Sequence, residues 1–104
     1  MANPGNGALS ESDLTQAGCA LRGWTYDRSR LALYRRIELA DFSHAIAFMV
    51  RVAIEAERVN HHPEWSNAYN RVDVWLTTHS VQGVSEQDVT MARYINAVVE
   101  GKIA

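Results

Sequence analysis

One run, FSHAIAFMVRVAIEAERV (Phe42–Val59), limits what this chain can fold into more than any other. At about 100° per residue, a helix gathers His44, Arg51, Glu55 and Arg58 onto one narrow polar stripe, with Asp41 placed to cap it. Nearly everything else is apolar: Phe42, Ile46, Met49 and Ala53 on one side, Ala45, Phe48 and Val52 on another. A surface helix needs a single apolar stripe to cover its own sheet. The extra breadth calls for a second partner, and in a chain of 104 residues another subunit is the simplest one. Glu57 breaks the pattern by projecting near Ile46, Val50 and Ala53. It either reaches water at a frayed end or has a task of its own.

The flanking sequence supplies the sheet. Pro63 lacks an N–H and biases His62 away from helical geometry, so it is expected to end the helical region. Upstream, RGWTYDRSRLALYRRIEL reads as a hairpin, with strand residues around Trp24 to Tyr26 and a polar turn at residues 27–30. Leu31, Leu33, Ile37 and Leu39 then share one face, and Tyr34, Arg36 and Glu38 the other; Arg35 breaks the apolar parity. Downstream, a second strand pair is expected near residues 65–69 and 71–78, turning at Asn70. There Val72, Val74, Leu76 and Thr78 alternate with Arg71, Asp73, Trp75, Thr77 and His79.

SESD at residues 10–13 and SEQD at residues 85–88 approximate capping boxes. The first opens a short helix ending at Gly18, and the second opens a closing helix to about Val99. Val89, Ala92, Ile95 and Val99 form the inward face of that last helix. The expected fold is α+β in the order αββαββα, a four-stranded antiparallel sheet with three helices packed on one face. One domain, residues 9–104, follows a flexible tail at residues 1–8.

Ten basic residues against twelve acidic ones leave a net charge of −2, which offers no bulk attraction to nucleic acid or to anionic membranes. Arg28, Arg30, Arg35 and Arg36 crowd one segment, which reads best as a solvated sheet edge. The single cysteine, Cys19, excludes an intramolecular disulfide and suits a reducing compartment, where it would serve as a small buried hydrophobe. No apolar run approaches the roughly 20 residues that span a bilayer, and MANPGNGALS does not read as a secretory signal. A cytoplasmic protein is expected.

Two adjacent histidines, His61 and His62, precede Pro63, and a third, His79, ends a strand. Neighbours in extended chain point to opposite sides, and neither an HxH nor an HExxH spacing occurs, so a metal site is disfavoured. No Gly-x-Ser-x-Gly elbow or glycine-rich phosphate loop occurs either. Acid–base chemistry remains, because histidine gives and takes protons near neutral pH. Any one of these residues alone would read as a surface or core-capping histidine. Three of them beside Pro63, Trp65 and the misplaced Glu57 shift the reading toward a site.

The stretch NHHPEWSNAYNRVDVWLTTHSVQGVSEQD, residues 60–88, closely resembles the pterin-4a-carbinolamine dehydratases, known in animals also as a dimerisation cofactor of a homeodomain transcription factor. His-His-Pro-x-Trp, Tyr69, Val72, the Thr78–His79 pair and the Gly-x-Ser run opening the last helix carry the likeness. It extends upstream through Gly23-Trp24, IELADF and FMVRVAIEAERV, so all but the first eight or so residues are covered.

The resemblance implies a hydro-lyase that dehydrates 4a-hydroxytetrahydropterin, left by aromatic amino-acid hydroxylases, to a quinonoid dihydropterin without metal or organic cofactor. It assigns His61 and His79 as the acid–base pair and His62 as a ligand that orients the pterin, with Pro63 fixing the turn. Thr78, His79, Ser80 and Val81 would contact substrate, and Glu57 would polarise a neighbouring histidine, with Asn60 and Trp65 in support. Asn60 stands where many members carry Asp, so any charge supplied there is missing. The resemblance further implies a homodimer or homotetramer through the long helix and a sheet edge. Two other readings stay open: a non-catalytic regulatory binding protein, and a relative serving another pterin pathway such as that of molybdopterin.

Overall fold

A computed structural model describes residues 8–16 and 21–102. Gly18, Cys19 and most of the expected tail lie outside the described residues. The elements are α1 (Glu11–Gln16), β1 (Thr25–Asp27), β2 (Ala32–Glu38), α2 (Phe42–Val59), β3 (Glu64–Ala68), β4 (Arg71–Leu76) and α3 (Glu86–Val99), with a 3₁₀ turn at His79–Val81 between β4 and α3. The strands form one antiparallel sheet in the order β1-β2-β4-β3. Both hairpins are as expected, and they join through their second strands, pairing Leu33 with Leu76 and Ile37 with Val72.

That register places Leu33, Ile37, Val72, Val74 and Leu76 in the core. Phe48, Val52 and Ala56 of α2 and Val89, Ala92 and Ile95 of α3 complete it. Both approximate capping boxes form. Ser10 and Asp13 exchange bonds of 3.0 and 3.1 Å, and Ser85 and Asp88 do the same at the start of α3.

Arg35 shares the parity of Leu33 and Ile37, and the structure shows what its charge does there. Its Nη1 donates to Asn96 Oδ1, which also accepts from Trp24 Nε1 at 2.8 Å. Gly23 makes room for it: with φ at +90°, a side chain there would also run into the Arg35 guanidinium. Burial pushes the Arg35 pKa down, partly offset by the charge of Glu100. The arginine-rich segment is therefore no common patch. Arg36 binds Asp73 at 2.9 Å, and Arg30 lies over the Trp75 ring at 3.9 Å.

Helix α2 begins at Asp41, whose carboxylate accepts the His44 N–H at 2.8 Å. Its inner face buries Ala45, Phe48, Val52 and Ala56, while Phe42, Ile46, Val50 and Ile54 stand exposed at successive intervals of four. The helix ends at Val59 because Asn60 turns left-handed (φ 55°, ψ 45°), three residues before Pro63. Asparagine is one of the few residues that enters this region readily. Pro63 alone is thus not the terminator. Among the described residues, no helix is long and apolar enough to cross a membrane.

Candidate active site

The left-handed turn at Asn60 lets the His61 N–H reach back to the Ala56 carbonyl at 3.0 Å, which fixes where the His61 ring departs from α2. The side chain is only 11% exposed, and its Nε2 lies 2.5 Å from Asp88 Oδ1. Asp88 is fully buried. Its other oxygen accepts from the Ser85 N–H at 2.9 Å and from Thr78 Oγ1 at 2.7 Å. One carboxylate therefore ties the end of α2, the end of β4 and the start of α3 together. Burying it is tolerable because each oxygen is satisfied.

The other two histidines repeat the arrangement nearer the surface. His62 Nε2 lies 2.5 Å from Glu57 Oε1, and His79 Nε2 lies 2.8 Å from Glu64 Oε2. Glu57, the intruder on the apolar arc of α2, is thus the partner of His62. A carboxylate can only accept a hydrogen bond, so each imidazole carries its proton on Nε2. In the neutral ring this leaves Nδ1 as the basic atom, for all three residues alike.

Asn60, His61, His62, Thr77, Thr78, His79, Ser80 and Gln87 line one cleft of about 330 Å³. That volume suits a small bicyclic ligand. The structure thus brings His61, His62 and His79 together with Thr78, Ser80 and Asn60. Pro63 and Val81 are not among the walls, and Trp65 packs half-buried against the core. The Thr78 hydroxyl is engaged with Ser85 (2.7 Å) and Asp88 (2.7 Å), which ties this wall of the cleft to the start of α3. An apolar hollow of about 200 Å³ between α2 and α3, which includes Val59, Met91 and Tyr94, also borders His61 and Gln87. No three His, Cys, Asp or Glu side chains among the described residues converge in a way that could hold a metal ion.

Sequence reasoning missed Asp88, Glu64 and Gln87 as site residues. Asp88 was visible only as a capping residue, a role it does perform and which hides the second one. Glu64 and Gln87 carry no local signal at all.

A family profile described as Pterin 4 alpha carbinolamine dehydratase matches residues 7–98. Proteins of Brucella ovis and Brucella canis bearing a pterin-4-alpha-carbinolamine dehydratase name are each 51% identical to this chain over 90 residues. The match covers 86% of this chain and 93% of theirs. A crystal structure of a transcriptional coactivator/pterin dehydratase from Brucella melitensis is similar with a TM-score of 0.84 and 50% identity, covering 88% of this chain and 98% of that one.

Proposed function

Since the chain belongs to the pterin-4a-carbinolamine dehydratase family, we propose that it removes water from a 4a-hydroxytetrahydropterin, in the recycling of the tetrahydropterin used by aromatic amino-acid hydroxylases. The C4a–O bond breaks with its electron pair going to oxygen, which takes a proton and leaves as water. The N5 lone pair forms the new C4a–N5 double bond, and N5 gives up its proton to a base. Atoms and charge balance without any oxidant or reductant.

His61 and His79 serve as the acid–base pair through Nδ1, each contributing about 10²–10⁴-fold. His62, tethered to Glu57, orients the ring system. The observation that supports this reading is three imidazoles around one cleft, each held through Nε2 by its own carboxylate. The His61→Ala/His79→Ala double variant is expected to lose nearly all acceleration of carbinolamine dehydration, measured on freshly generated substrate by stopped flow. Full activity in a folded double variant would end the assignment.

A second reading, association through α2, is favoured by the exposed apolar row Phe42, Ile46, Val50 and Ile54. We place a homodimer or homotetramer there, with the edge strand β3 as a further contact surface. The single cysteine suits a cytoplasmic location.

A further inference from the structure

We infer that Glu64, backed by Arg30 and Trp75, is the positioning residue for His79, an inference that rests on the dehydratase reading. His61 and His79 differ sharply in how they are held. The His61 ring is clamped by burial, whereas the His79 side chain is 83% exposed, and the residue opens a 3₁₀ turn where the sequence pattern had it end a strand. An exposed imidazole with no partner is free to sample several staggered rotamers. Glu64 removes that freedom by binding Nε2 at 2.8 Å.

Glu64 is itself anchored. It begins β3 opposite Trp75 of β4, and its Oε1 accepts from Arg30 Nη2 at 3.3 Å. Arg30 in turn lies 3.9 Å over the Trp75 ring, which sits 5.2 Å from the ring of Tyr34. A chain of contacts therefore runs from the open face of the sheet to the catalytic imidazole. As exposed pairs, these contacts add little to folding. Their value lies in orientation, since small misplacements of a reacting group are costly. The charged and titratable groups facing His79 are Glu64 on β3, Arg30 behind it, and His61 and His62 across the cleft with their partners Asp88 and Glu57.

The test compares wild type, Glu64→Ala, Glu64→Gln and Arg30→Met by steady-state kinetics on the carbinolamine, pH–rate profile, melting and NMR titration of the His79 ring. Glu64→Ala should lower kcat about tenfold with KM within about twofold, because orientation and not binding is lost. Glu64→Gln keeps an acceptor and should recover part of kcat, but its profile moves to lower pH because the carboxylate charge is gone. Arg30→Met removes the opposing cation and should move the profile and the ring titration to higher pH. A merely structural role would not produce these opposite shifts. An active wild type whose Glu64→Ala variant keeps kcat within about twofold overturns the inference alone. A wild type that leaves the carbinolamine untouched overturns the dehydratase reading and the catalytic half of the inference with it. In that case the ring titrations decide the pairing itself, which fails if they do not move.

Discussion

Replacing Asp88 by Asn removes one negative charge and one acceptor while leaving the volume almost unchanged. The amide must choose how to lie. Its oxygen is needed on the side of Ser85, whose backbone N–H at 2.9 Å can only donate, and Thr78 Oγ1 donates to the same oxygen at 2.7 Å. The amide nitrogen is then forced toward His61 Nε2, where the carboxylate stood at 2.5 Å. A donor now faces a donor. The ring escapes by moving its proton to Nδ1, and the atom proposed as the acid–base group in the cleft is no longer basic. Turning the amide around restores the His61 contact but sets an N–H against the Ser85 N–H and breaks the capping box.

Either way, one charge-assisted hydrogen bond in a fully buried site is lost, worth about 1.5–3 kcal/mol. For a domain of this size that lowers Tm by roughly 5–15 °C. The kinetic effect should be larger in proportion, a fall in kcat of about 10²–10⁴-fold, since a tautomer switch disables an acid–base group outright. Stopped-flow dehydration of fresh carbinolamine, with melting measured in parallel, separates the two effects. Ser85→Ala is the control: it loses the N-cap, at about 1 kcal/mol, but leaves the His61–Asp88 contact in place and should retain kcat. A folded Asp88→Asn protein with kcat within about threefold of wild type refutes the argument.

Two further perturbations test the sheet and the helix. Burial alone would raise the Asp73 pKa, but hydrogen bonds from Arg36 and Tyr34 and the charges of Arg36 and Arg71 outweigh it and hold the carboxyl below its ordinary range. The stability it supplies is present above about pH 4, the ordinary aspartate value, and is lost as pH falls through the lowered one. Acid titration of the unfolding free energy should show this loss, Asp73→Asn should flatten it, and equal slopes for the two proteins would refute the assignment. On α2, Ile54 is 67% exposed and Val50 53%. Ile54→Asp should lower the mass measured by light scattering while the far-UV spectrum stays the same, and an unchanged mass would remove α2 as the association face.

Much of the architecture was legible because it is written locally. Alternation in residues 31–39 and 71–78, the two capping boxes and the double apolar face of α2 each follow from periods of 2 or 3.6 residues. Three features were not. Arg35 looked like an error in the pattern until Trp24 and Asn96 surrounded it. The end of α2 looked like the work of Pro63, yet the left-handed Asn60 does it. Asp88 looked like a cap and nothing more.

The sequence by itself determined the elements, their order and the three histidines, because backbone preference and side-chain periodicity act over a few residues. Only the tertiary structure decided which carboxylate meets which ring. His61 and Asp88 lie 27 residues apart, and His79 and Glu64 lie 15 apart. Their meeting depends on the β3–β4 register and on how the end of α2 docks against the start of α3. Those are non-local choices made by the whole core, and through them an adjacent pair of histidines becomes two differently held groups facing a third.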